Sequence, residues 1–186
     1  MNLAGLILKA FGWKVEITVP DVPKCIICVA PHTSNWDFIL GKLAYRAVGR
    51  RAGFLMKESW FFWPLGPIFR AIGGIPVPRR RKDSTRHLTE IVAEKIIEAP
   101  GHIHIAVTPE GTRSRTAHWR TGFLTIARLA DVPIMLGALD FKTRRIQICD
   151  EFFPTGDTER DMRAIKDFYA PFEGKFPEKF TTEDAD

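Results

Sequence analysis

Two short polar segments carry the residue types that acid–base and anion chemistry need. HTSNWD (32–37) sets a histidine and an aspartate close together, and TPEGTRSR (108–115) offers a carboxylate, a glycine, a hydroxyl and a guanidinium in one stretch. A neutral imidazole accepts a proton near neutral pH, and a carboxylate can hold its other nitrogen in the right tautomer. His32 and Asp37 could form such a pair, but not within one regular helix. Five residues turn through roughly 500°, which leaves the two side chains about 140° apart on the wheel. The pairing therefore needs His32 in a loop that folds back over an Asp37 in the first helical turn. A plainer reading stands beside it. Ser34-x-x-Asp37 has the form of a capping box, in which the acid only complements a helix N-terminus. The two readings are compatible, because a cap also fixes the carboxylate.

In the second segment, Gly111 permits close backbone approach and Arg113 offers a planar fork matched to phosphate oxygens. Backbone donors of the same loop could add a small anion nest. The alternative is a surface turn with a Glu110–Arg113 pair. Arg79 leaves the extended segment GGIPVP (73–78), whereas Arg80, Arg81 and Lys82 read as a solvated charged surface. Cys25 and Cys28 are nominally C-x-x-C, yet they fall in an apolar strand, where residues three apart face opposite sides. Cys149 is isolated. His102 and His104 share one strand face without a third nearby ligand and read as structural, so no metal is expected. There is no G-x-S-x-G elbow and no P-loop.

The elements that must hold these loops follow from hydrophobic pattern. The spacing predicts a helix over 3–13, a strand over 14–19 and a continuous apolar strand over 25–30, CIICVA. A helix is expected from about Trp36 to Val48, a short strand at 54–57, and a helix from Thr85 to Glu98 capped by Ser84. HIHIAV (102–107) is the next strand, with TPEGTRS directly after it. A helix at about 122–130 precedes the strand 133–141, which turns back into 145–153. A last helix covers about 158–169. The segment WFFWPLGPIF (60–69) is aromatic and broken by Pro64 and Pro67. Strands alternating with helices indicate an α/β class with a mainly parallel central sheet flanked by helices. Ligands of such sheets sit beyond the carboxyl ends of strands. HTSNWD and TPEGTRS each follow an apolar strand, so parallel strands would bring both loops to one edge.

The chain has 186 residues, 45% of them hydrophobic, with three cysteines. These values suggest a single domain over 1–186, with an amphipathic helix over 1–13 and a frayed acidic tail over 174–186. The odd, small cysteine count fits a reducing cytoplasm, and no removed signal peptide is expected. Net charge is +5 and the pI is about 9.3, which favours anionic partners without choosing among them.

Four motifs in order resemble glycerolipid acyltransferases of the lysophosphatidic acid acyltransferase type: HTSNWD (32–37), GGIPVPR (73–79), TPEGTRS (108–114) and VPI (132–134). The resemblance runs from about Val29 to Ile134. It implies that His32 deprotonates an acceptor hydroxyl, that Asp37 orients and charges it, and that the hydroxyl oxygen attacks an acyl thioester without an acyl-enzyme. It assigns the acceptor phosphate to Arg79, with Lys57 as a further ligand on a looser alignment. Glu110, Gly111, Thr112 and Arg113 fall in the third motif, which implies acceptor binding and site architecture. Pro31 stands where the family usually has Asn, and Thr108 where it often has Phe. Many members also carry long N-terminal membrane helices that have no counterpart here. These departures bear on the acceptor rather than on the reaction type.

The resemblance thus implies an acyltransferase of phospholipid biosynthesis, using acyl-CoA or an acyl carrier protein as donor and a lysolipid as acceptor. No further cofactor and no nucleic acid partner are implied. Acceptors of this kind reside in a bilayer, so peripheral contact with an anionic membrane from the cytoplasmic side is expected. The apolar N-terminus and the aromatic run 60–69 are the candidate contacts, and core packing is the alternative for both. Other functions compatible with the residues are the same chemistry on another lysolipid or a glycolipid, and a non-catalytic protein that binds anionic lipid or nucleic acid.

Overall fold

A computed structural model describes residues 2–77 and 87–183. The strands are β1 (Lys14–Ile17), β2 (Lys24–Ala30), β3 (Gly53–Lys57), β4 (Gly74–Val77), β5 (Ile103–Val107), β6 (Ile134–Asp140) and β7 (Arg145–Phe152). The helices are α1 (Leu3–Ala10), α2 (Asn35–Ala47), α3 (Leu65–Ala71), α4 (Leu88–Glu98), α5 (Gly122–Ala130) and α6 (Thr158–Tyr169).

The strands form one sheet in the order β1-β7-β6-β2-β5-β3-β4. Every neighbouring pair is parallel except β6 and β7, which turn back on each other. The α/β class with a mainly parallel sheet is thus realised in a single unit. β2 lies in the middle, and its apolar run is continuous because both of its faces are covered. Ile26, Cys28 and Ala30 join a core with α4, α5 and α6. Cys25 and Ile27 point the other way, to Tyr45, Met135 and Ile148. On that second side α1 and α2 close the sheet through Leu8, Leu40 and Ala44 against Leu139 and Ile146. Cys25 and Cys28 therefore lie on opposite faces. Burial pushes both thiols up, Cys25 to about 12 and Cys28 higher still, so neither acts as a thiolate.

α1 is capped by Asn2, whose Oδ1 accepts from the Gly5 N–H at 3.0 Å. The Asn2 amide donates to the carbonyls of Arg46 and Ala47, tying α1 to the end of α2. Helicity stops short of Trp13, because Gly12 takes a φ of +76°. In the aromatic run the structure contains a helix, α3, that the pattern does not announce. Pro67 is its third residue, a first-turn position where the missing N–H breaks no helical bond. Phe61 and Phe69 pack on each other, while Trp60, Phe62 and Trp63 are exposed. The run therefore divides between packing and surface. Ser84, expected to cap α4, lies outside the described residues, and Leu88 is the first helical residue described.

The segment 174–183 departs from the expectation of a frayed tail. Phe180 packs against the core, the Trp119 indole N–H donates to the Thr181 carbonyl at 3.2 Å, and the Phe176 N–H donates to Thr33 Oγ1 at 3.2 Å. Phe180 provides apolar burial that the acidic ending obscures. Residues 184–186 are outside the description.

Candidate active site

β2 ends at Ala30, and the chain crosses the carboxyl edge of the sheet through Pro31, His32 and Thr33 into α2. Ser34 caps α2 in a complete capping box, with Asp37 as its acidic member. Asp37 Oδ2 accepts from the N–H groups of Thr33 and Ser34, both at 2.7 Å. Its Oδ1 accepts from Ser34 Oγ at 2.8 Å. The same Oδ2 lies 3.3 Å from His32 Nδ1. The loop thus folds the histidine back over a carboxylate that is also a cap. The contact has the length of an ion pair but not the alignment of a hydrogen bond, which leaves Nδ1 without a hydrogen-bond partner. Catalytic hydrogen bonds are often loose without substrate.

β5 runs parallel to β2, so the 108–115 loop emerges beside this pair. Glu110 Oε1 accepts from the His32 main-chain N–H at 2.7 Å. Glu110 is only 5% exposed, and burial pushes its carboxyl up to about 7, opposed by hydrogen bonds to its own and the His32 main chain. Its Oε2 is buried without a partner. Gly111 takes a φ of +64°, and a Cβ there would come 3.1 Å from Arg120 Cγ. Arg113 Nη1 donates to Asn35 Oδ1, joining this loop to the first residue of α2.

A cavity of about 750 Å³ opens at this edge and extends beneath α2. His32, Asn35, Asp37, Gly111, Thr112 and Arg113 line its polar end. Farther in, the walls are Phe38 and Gly41 of α2, Val29 of β2, Leu139 of β6 and Ile146 and Ile148 of β7. Gly41 leaves open space where a side chain would stand, with nothing within 4 Å of a Cβ. Lys42 marks the far end, donating to the carbonyls of Ala52 and Ile72 at 2.7 Å each. Burial lowers its pKa.

The residues singled out from sequence therefore separate. His32, Asp37, Gly111, Thr112 and Arg113 meet at the cavity. Glu110 stands behind the histidine instead of facing the space. Lys57 is exposed at the end of β3 and is not part of the cavity wall. Arg79 lies outside the described residues, although β4 ends two residues before it. Sequence reasoning passed over Asn35, which sat inside the quoted motif as a spacer, and Thr33, which receives the returning C-terminal segment. It also passed over Phe38 and Gly41, which no motif marks.

His104 is structural. Its Nδ1 meets the Tyr45 hydroxyl at 2.5 Å and its Nε2 faces the Val22 carbonyl at 2.6 Å. A carbonyl only accepts, so Nε2 carries the proton and Nδ1 accepts. Burial lowers the pKa of this imidazole. Asp21 is the third nearby group that the sequence did not show: ligand atoms of Asp21, His102 and His104 lie within 4.8 Å of one another, with both His104 nitrogens engaged and Asp21 3.2 Å from Arg50.

The sequence model of a protein family described as acyltransferase matches residues 15–135, a span that includes His32, Asp37, Lys57, Arg79 and the 108–115 loop. A search of curated proteins finds no match to the chain.

Proposed function

From the premise that this chain belongs to the acyltransferase family, we propose that it transfers a fatty acyl group from an acyl thioester to the hydroxyl of a lysophospholipid such as lysophosphatidic acid. One observation carries the reading: a histidine backed by a buried carboxylate stands at the polar mouth of a long apolar cavity. In this mechanism His32 Nε2 takes the proton of the acceptor hydroxyl as its oxygen attacks the thioester carbonyl. Asp37, 3.3 Å from Nδ1, favours the imidazolium that forms. The tetrahedral intermediate collapses, the carbon–sulfur bond breaks, and the thiolate recovers the proton from His32. No acyl-enzyme is formed, and the thioester donor is the only co-reactant.

The acyl chain occupies the cavity under α2, where apolar walls and the open position at Gly41 accommodate methylenes. Arg79 binds the acceptor phosphate, with Lys57 and Arg113 as further ligands. The Asn35 contact orients the Arg113 guanidinium. Glu110 acts through the His32 main chain and does not touch substrate. Acyl-CoA and acyl carrier protein both fit as donors.

The protein works peripherally on the cytoplasmic face of an anionic membrane, as part of phospholipid biosynthesis. No helix among the described residues is long and apolar enough to cross a membrane. Support for surface contact comes from exposed Leu3, Leu6 and Phe11 at the N-terminus and from Trp60, Phe62 and Trp63. Such side chains favour the interface when basic residues stand nearby.

The test is a mass-spectrometric screen of lysolipid acceptors against acyl-CoA and acyl carrier protein donors, run with wild type and His32→Ala. Turnover by wild type should fall about 10²–10⁴-fold in the variant, the usual contribution of a general base, with an unchanged circular dichroism spectrum. Equal rates in the two proteins would refute the mechanism.

A further inference from the structure

Beyond α6 the chain returns across the active-site loop. The Phe141 N–H donates to the Glu173 carbonyl at 2.9 Å, and the Phe176 N–H donates to Thr33 Oγ1 at 3.2 Å. Gly174 packs so tightly that a Cβ would sit 2.7 Å from Thr33 Cγ2. Thr33 is the neighbour of His32, so this segment is fixed relative to the reacting centre. It also lies outside the span that matches the family.

The segment brings two ammonium groups to the beginning of α2. Lys175 Nζ stands 5.2 Å from the Trp36 ring centroid and 5.8 Å from that of Phe176. Lys179 Nζ stands 4.3 Å from the Phe176 centroid. Both cations are thus held on aromatic faces, and neither meets a carboxylate among the described residues. Glu173 is taken by Lys142, and Glu178 pairs with neither lysine. Aromatic faces orient an ammonium without neutralising it, so the pair keeps its charge for an external anion. Arg113, in the loop after β5, reaches Asn35, the residue before Trp36, from the other side of β2.

We propose that Lys175 and Lys179 bind the phosphate of the acyl donor's pantetheine arm, a group common to CoA and to acyl carrier proteins. The inference rests on the acyl-transfer reading above. Both substrates of that reaction carry phosphate and must converge on His32. Lys57, assigned there to the acceptor, is at the end of β3, on one side of β2 in the strand order. The C-terminal segment is bonded to the chain just after β6, on the other side of β2. Two mutually repelling phosphates then have separate cations on opposite flanks of the histidine.

The test uses the full chain and its Lys175→Gln/Lys179→Gln double variant, with CoA and 4′-phosphopantetheine as calorimetric probes. Two charge-assisted contacts at an exposed rim predict binding of both probes weakened about tenfold. In steady-state assays with acyl-CoA and with acyl carrier protein, the KM of either donor should rise by a similar factor. The KM of lysophosphatidic acid should move less than twofold. Equal probe affinity in the two proteins overturns the proposal, as does wild-type protein that binds neither probe. Weakening confined to CoA also overturns it, since the lysines would then read the adenosine phosphate. Loss of binding to phosphatidylglycerol vesicles with donor KM unchanged overturns it in favour of a lipid headgroup. Because the calorimetry needs no turnover, absence of acyl transfer would sink the functional reading and leave this site to be judged on its own result.

Discussion

Replacing Glu110 with Gln should reshape the pH dependence of stability in a predictable direction. The carboxyl is buried behind the active-site loop, and burial raises it from an ordinary 4.5 to about 7. A raised folded-state pKa means that the native protein holds this proton more tightly than the unfolded chain does. The associated stability is fully present below about pH 4.5. It drains away as pH rises and levels off once the native group also ionises, above about 7. At about 1.4 kcal/mol per unit, the shift amounts to roughly 3 kcal/mol lost between acid and pH 8. Gln cannot ionise, so its Oε1 can keep accepting from the His32 N–H while this loss disappears. The buried His104, whose pKa is lowered, acts in the opposite sense, because its stability is lost as pH falls. It is present in both proteins and cancels in their difference. Urea unfolding of wild type and Glu110→Gln from pH 5 to pH 8.5 checks this. The stability of the variant relative to wild type should climb through the window, by about 2–3 kcal/mol. Parallel curves would refute the claim that Glu110 enters the fold as an acid.

Asp37→Asn should lose most turnover, because the amide disfavours the imidazolium. It should also cost about 1 kcal/mol of stability through the weakened cap, measured by chemical unfolding. Gly41→Leu places a side chain in open cavity space. A competition assay with mixed acyl-CoAs should show preference moving to shorter chains, and an unchanged profile would remove the cavity from the acyl path. Tyr169 is fully buried, and its hydroxyl donates to the Cys28 carbonyl at 2.6 Å. Tyr169→Phe should therefore cost about 1–3 kcal/mol, read as a lowered urea midpoint with the m-value unchanged.

The site was partly legible because its loops obey local rules. CIICVA needs both faces covered and so marks a central strand, and Ser34 with Asp37 spells out a helix start. Parallel neighbours then put HTSNWD and TPEGTRS at one edge. The position of Glu110 behind the histidine was not legible, since a glutamate in a polar loop gives no sign that it will be buried. Its position depends on the packing of β5 beside β2, which no single segment encodes. The cavity was invisible for the same reason, as its walls come from strands and a helix far apart in the chain. α3 was missed because two prolines in ten residues outweigh helical spacing. The segment after Gly174 was misjudged because its charged ending drew attention away from Phe176 and Phe180.

The parallel pairing of β1 with β7 has a consequence in time. Lys14 to Ile17 align with Arg145 to Ile148, so β1 has no strand partner until β7 has been made. Domains tend to organise from the N-terminus during synthesis, but here β1 must wait while β2 through β6 assemble. Ile146 and Ile148 arrive equally late, and they form the deep wall of the cavity. A nascent chain that lacks β7 can therefore carry His32 and Asp37 before it has an enclosed chamber. Competence for long substrates would come only once β7 has joined the sheet.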